Sequence, residues 1–206
     1  MSALQTAMNE LSNHDHSRFL TRTNHKVGRI SYAGAEAASE GVNPAVMREA
    51  VAIQMTWPGA PTVYYGDEAG LCGFTDPDNR RTYPWGREDY QMIDFHRVMI
   101  RIHKNYEVLK TGSLGFLWND YQGLCYARFS RKEQMIVIIN NQAESRDVEI
   151  QLWQAGISRL ADTKLKRIVV TSAEGFTEEP EEYTATAGIL KITMPAFGAM
   201  VLHHKN

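Results

Sequence analysis

The chain has 206 residues, 43% of them hydrophobic and 10% aromatic, enough for one large domain or two small ones with a folded core. Its 22 Lys and Arg stand against 24 Asp and Glu, a net charge of −2 without long runs of one sign, which leaves no electrostatic case for nucleic acid or an anionic membrane as partner. Two cysteines, Cys72 and Cys125, lie in segments of different character, so neither a disulfide framework nor a zinc-ligand spacing can be built, and a reducing, cytoplasmic setting is mildly favoured. No apolar run reaches the ~20 residues a membrane span needs, and Met1–Asn9 lacks the charged and apolar regions of a signal peptide.

In chain order, a first strand is expected at about Met8 to Ser12, and a small-residue loop follows at Ala33 to Gly41. Asn43 before Pro44 is a cap and first-turn signal, and the mostly apolar run that follows predicts a largely buried helix ending before Pro58. Ala60 to Tyr65 is β-prone and closed by Gly66, which predicts a buried parallel strand. From Asp89 to about Lys110, apolar residues at Met92, Phe95, Met99, Ile102, Tyr106 and Leu109 recur at three and four spacing, predicting one amphipathic helix. Strand, helix, strand, helix in this order fits the last two β/α units of a larger parallel α/β fold; two strands cannot close a barrel by themselves.

After Gly112 the chain turns to short β-prone stretches at Gly123–Ser130, Met135–Ile139, Val148–Leu152, Arg167–Val170, Gly188–Met194 and Ala199–Leu202. Val148, Ile150 and Leu152 alternate with Glu149 and Gln151, as a half-buried strand requires. An antiparallel β-sandwich is expected here, with a domain boundary near Lys110 to Ser113.

Asn13, His14 and Asp15 follow the first strand directly, the place where parallel α/β barrels assemble active sites. As an isolated tripeptide they would more often make local turn hydrogen bonds. Their weight comes from the second block: residues 57–85 read WPGAPTVYYGDEAGLCGFTDPDNRRTYPW, and with SNHDHSR at Ser12–Arg18 this pairing resembles the α-amylase family of glycoside hydrolases (family 13). The NHD block matches the family's motif after the seventh barrel strand and GAPTVYYGDE matches the eighth, while DPDNRR is most similar to the cyclomaltodextrinase, neopullulanase and maltogenic amylase branch.

The resemblance implies a fold and a chemistry. Residues 1–111 would be the C-terminal part of a (β/α)8 TIM barrel, strands seven and eight with their helices, and 112–206 a β-sandwich C-terminal domain. The reaction implied is a retaining double displacement at α-1,4 or α-1,6 glucosidic bonds of maltodextrins, cyclomaltodextrins, starch or pullulan, with an attacking aspartate and a proton-donating glutamate about 5 to 5.5 Å apart. Asp15 corresponds to neither of these but to the third carboxylate, a transition-state stabiliser, and His14 to a hydroxyl-binding residue beside it. Asp76 and Arg80 would bind a glucose unit further toward the non-reducing end, with Trp85, Tyr83 and Phe74 offering apolar faces to a sugar ring.

The family's nucleophile and acid lie on its fourth and fifth strands, which precede Ser12. The chain alone is therefore expected to be inactive and to need the N-terminal part of the barrel as partner. It would expose barrel faces prone to self-association. Asp67 and Glu68, adjacent after the eighth strand, are set aside as an acid/base pair because neighbours on an extended chain point to opposite faces. Tyr64 and Tyr65 are expected to pack at core and rim. No cofactor is expected in this chain, and the residues leave calcium in the parent enzyme open. A non-catalytic carbohydrate-binding or scaffolding module, using Trp85, Arg80 and the β domain, is the alternative of another class.

Overall fold

The structure is a computed structural model that describes residues 6–206. By contacts the chain divides into two compact units, one of residues up to Met55 with Gly59–Arg101, the other of Thr56–Pro58 with Ile102–Asn206. Each is built differently.

The first unit holds a parallel strand pair, β1 (Met8–Asn9) and β2 (Ala60–Pro61), with Met8 opposite Ala60 and Asn9 opposite Pro61. Both strands are shorter than expected, and Ala60 to Tyr65 is not a buried strand. After Pro61 the chain leaves the ladder, residues 65–70 form a turn, and Tyr65 is exposed. The physical reason is a lack of neighbours: among the described residues β2 pairs only with β1, so its far edge has no ladder to extend it. What continues the join is a side chain, since the Gln54 amide donates to both Asn9 O (3.1 Å) and Thr62 O (2.8 Å). No closed barrel is present among the described residues.

Two short helices follow β1, α1 (Phe19–Arg22) and α2 (Ile30–Ala33), then the long helix α3 (Pro44–Thr56). The expected cap of α3 forms: Asn43 Oδ1 accepts from the backbone N–H groups of Ala45 and Val46 at 3.0 and 3.4 Å. Nearly every side of α3 is buried, which its apolar residues allow but its charged pair does not readily. Arg48 reaches the Gln91 side chain at 3.3 Å, whereas Glu49, 3% exposed, has one carboxylate oxygen with no hydrogen-bond partner. Burial pushes the Glu49 carboxyl up to about 8, against the pull of Arg48.

Because the Glu49 pKa is raised in the folded state, stability is highest below the unfolded value near 4 and is lost as pH rises toward 8. Between those limits the loss is expected to be on the order of 3 to 5 kcal/mol. Glu49→Gln, which cannot ionise, should flatten that part of the curve. Urea unfolding at pH 5 and pH 8.5, followed by the helical circular-dichroism signal, reads it directly; equal slopes in the two proteins would remove Glu49 from the account.

The expected single helix from Asp89 to Lys110 is two. Helix α4 spans Tyr90–Asn105, with Asp89 Oδ1 capping Met92 N–H at 3.0 Å, and helix α5 spans Glu107–Thr111. Tyr106 between them is extended (φ −107°, ψ 113°), and the freed N–H of Val108 is taken by Glu133 Oε1 at 2.9 Å. Apolar periodicity runs on through Tyr106 because both helices bury the same kind of face, so it could not reveal the break.

The second unit is antiparallel. A seven-stranded sheet runs β3 (Ser113–Asn119), β4 (Gly123–Phe129), β5 (Glu133–Asn140), β11 (Gly198–Lys205), β7 (Thr163–Thr171) and β8 (Phe176–Thr177), with β9 (Glu182–Ala185) also on β7; β6 (Arg146–Gln151) pairs separately with β10 (Ile189–Met194). Val148 and Ile150 point inward and Asp147, Glu149 and Gln151 outward, as their alternation required. One core joins Ile136 and Ile138 of β5, Ile150 of β6, Leu165 of β7, Leu190 of β10 and Leu202 of β11. β3, β8 and β9 went unread in the sequence. β3 contains Gly115 and a register shift at Phe116/Trp118, which breaks the alternation that would mark it.

The opposite face of the sheet makes contacts within the same unit. Fully buried Arg128 donates to Thr56 O and Gly112 O, and Trp57 packs edge-on against the Tyr126 ring at 5.1 Å.

Candidate active site

The first unit gathers its polar side chains around the turn that follows β1. Asn13 Oδ1 accepts the backbone N–H groups of Asp15 (2.9 Å) and His16 (3.1 Å), a local turn that an asparagine side chain is suited to close. The closed turn lifts His14 and Asp15 outward. His14 Nε2 and Asp15 Oδ1 lie 3.4 Å apart, and both side chains are 66% exposed, so a ligand could reach both.

A second loop folds back onto this turn. Asp78, itself buried, accepts the backbone N–H of Phe74 at 2.8 Å and holds Arg81 through two hydrogen bonds of 2.8 Å each. Gly73 permits the fold: a Cβ there would stand 2.4 Å from Asp78 O and 2.9 Å from Asn79 Cα. Arg80 ends beside the first turn, its Nε donating to His14 O at 3.2 Å and meeting Asp76 Oδ1 at 2.7 Å. His14, Asp15, Asp76 and Arg80, four of the five residues expected in a site, are thereby brought together. Trp85 stands in a turn of its own, 79% exposed and tilted against Tyr83 at 4.5 Å between ring centroids.

Phe74 is a correction. At 2% exposure it lies in the core, its ring so close to Gly28 that a Cβ there would come within 2.7 Å, and it has no face to offer a sugar. The reason for setting aside Asp67 and Glu68 also changes, because these residues occupy a turn rather than an extended segment. Glu68 accepts the Gly66 N–H at 2.9 Å, and Asp67 is buried in an ion pair.

That ion pair is the part of the site sequence reasoning missed. Arg18, fully buried, donates from Nη1 to Tyr65 O (2.7 Å) and Asp67 Oδ1 (3.0 Å), and from Nε to Asn79 O (3.0 Å). Its guanidinium carbon lies 4.6 Å from the Tyr64 ring centre and 4.8 Å from that of Tyr65. Tyr64 and Tyr65 thus pack on a cation rather than on an apolar core. Burial pushes the Asp67 carboxyl up to about 6, opposed by hydrogen bonds from Ser12 and Arg18 and by the charge of Arg18. One signal was available: Arg18 is a charge immediately before the apolar Phe19 and Leu20, where an unpaired guanidinium would be costly.

Among the described residues no group of three or more His, Cys, Asp or Glu is placed to hold a metal ion, and no helix is long and apolar enough to cross a membrane. A groove of about 630 Å³ in the second unit, lined by Asp147, Glu149, Tyr183 and Lys191 among others, contains none of the expected site residues.

The chain is similar to known proteins. A family model described as alpha amylase, catalytic domain, matches residues 1–159. The chain is 31% identical over 204 residues to neopullulanase 2 of Thermoactinomyces vulgaris, covering 97% of this chain and 30% of that protein. It is 30% identical over 213 residues to an amylopullulanase of Thermoanaerobacterium thermosulfurigenes, covering 98% of this chain and 11% of that protein. In fold it is similar to the α-amylase of Geobacillus thermoleovorans, solved with acarbose, at a TM-score of 0.74 and 21% identity over 98% of this chain and 39% of that one. The chain thus spans between 11% and 30% of the length of these two curated relatives.

Proposed function

This chain belongs to the α-amylase catalytic-domain family, and we propose that it forms the C-terminal part of a retaining glycoside hydrolase acting on α-1,4 or α-1,6 glucosidic bonds of maltodextrins, cyclomaltodextrins, starch or pullulan. Residues 1–111 would complete a (β/α)8 barrel with its seventh and eighth strands, and 112–206 would be its β-sandwich domain. The relatives named neopullulanase and amylopullulanase support the substrate class. The observation that carries the reading is the exposed His14–Asp15 pair, held 3.4 Å apart in the turn that follows a parallel strand, with Arg80 hung from the His14 carbonyl.

In this proposal the Asp15 side chain stands beside the sugar ring. As the leaving oxygen is protonated and the anomeric carbon gains positive charge, the carboxylate interacts more favourably with the flattened, cationic ring than with the ground-state sugar. His14 binds a hydroxyl of the same ring, Asp76 and Arg80 bind hydroxyls of the next unit, and Trp85 with Tyr83 supplies an apolar surface. The nucleophilic aspartate and the proton-donating glutamate come from strands outside these 206 residues. No calcium is assigned to this chain.

The complete protein should release reducing ends from maltodextrin, cyclomaltodextrin or pullulan with retention of anomeric configuration, followed by proton NMR. The 206-residue chain alone should not, and adding the upstream part of the barrel should restore turnover. Enzyme-like release by the chain alone would show that the nucleophile and acid have been misplaced. The exposed Trp85 sustains a second reading, a binding module without bond cleavage; maltodextrin binding by this chain together with an inert complete protein would establish it.

A further inference from the structure

The loop carrying Asp76 and Arg80 has a side that does not face outward. Asn79 lies on it, fully buried and 66 residues from Asn13 in sequence. Its Nδ2 donates to Asn13 O at 3.2 Å and to His16 O at 2.8 Å. A carboxamide nitrogen has two hydrogens, and these two carbonyls bracket His14 and Asp15 and use both. The main-chain carbonyl of Asn79 is in turn gripped by Arg18 Nε at 3.0 Å, so the brace is itself held by a buried cation. Arg80, the next residue, adds its bond to His14 O.

We infer that Asn79 is the positioning residue of the turn that presents Asp15 and His14, acting on the reaction through Asp15 and never touching the sugar. The inference rests on the reading of Asp15 as the transition-state carboxylate. Without the brace, the described residues leave the turn the Asn13 side chain and the bond from Arg80, while both residues it presents are mostly exposed. An asparagine suits the place better than its isostere. An aspartate would set a charged oxygen against two carbonyl oxygens in a site without water access, and the Oδ1 of Asn79 already has no partner there. Transition-state contacts tolerate little displacement, since about 1 Å of misplacement can cost on the order of 10²-fold in rate.

The test is a double-mutant cycle in the complete enzyme with maltodextrin or pullulan as substrate. Asn79→Asp is expected to lower kcat at least about tenfold with KM within about threefold of the parent. Asn79→Ser adds neither charge nor bulk; it should act in the same direction and serves if the aspartate variant does not fold. In an Asp15→Asn background either substitution should lower kcat by clearly less than in the parent, because the charge being positioned is already gone and only the placement of His14 is left to lose. An equal loss in both backgrounds would overturn the inference, since general damage to the fold does not depend on Asp15. Unchanged kcat in the single variants would overturn it too. If Asp15→Asn itself turns over normally, the functional reading falls first and this inference with it, an outcome visible in the Asp15→Asn arm alone.

Discussion

Asp15→Asn in the complete hydrolase should lower kcat by on the order of 10² to 10³-fold, the cost typical of one lost transition-state contact of about 2.7 to 4 kcal/mol. KM should change little, because the substitution keeps size and one acceptor oxygen and removes the charge that stabilises the developing cation. Neutralising the carboxylate should not disturb the turn: Asp15 is held there by its backbone N–H on Asn13 Oδ1, and its side chain is mostly exposed. Steady-state kinetics beside an unchanged melting curve would check both halves. Near-normal turnover would take Asp15 out of the catalytic set.

Arg18→Ala acts on the fold rather than on the chemistry. It strands the Asp67 carboxylate, only 5% exposed, without its cation, and deprives Tyr65 O and Asn79 O of their donor. Breaking a buried pair from one side costs about 3 to 5 kcal/mol, more than the net worth of the pair, because the remaining charge stays desolvated. The loss should grow with pH. Asp67 already has its folded pKa raised to about 6, so its ionisation costs stability as pH climbs from the unfolded value near 4. Without the lowering influence of Arg18 that cost is larger and extends to higher pH. Urea unfolding at pH 5 and pH 8 should show the greater deficit at pH 8, with Asp67→Asn recovering part of it. A pH-independent deficit below about 1 kcal/mol would mean the pair contributes no more than a surface bridge.

Segments whose structure depends on near neighbours were legible in the sequence. The α3 helix begins where Asn43 and Pro44 said it would, and β6 alternates as its side chains do, because a cap is decided within about four residues and a strand face within two. The family resemblance, carried by the NHD and GAPTVYYGDE blocks, is likewise borne out by the family match. The failures share another cause. Ala60 to Tyr65 has strand-forming residues, but among the described residues it has one neighbouring strand to pair with; Tyr106 sits in phase with both helices it separates; Phe74 looked like an aromatic platform until the loop folded it inward.

The candidate site divides along the same line. That Asn13, His14 and Asp15 would form a turn after a strand is a property of those residue types in that order, while the sugar-binding roles came from the family resemblance. What holds the turn is not. Arg18 reaches Asp67 and Asn79, and Asn79 reaches Asn13 and His16, across 49 to 66 positions of sequence. Residue type and spacing state what a side chain can bond; only the folded chain, by removing water from Arg18, Asp67 and Asn79 together, decided which bonds they must make.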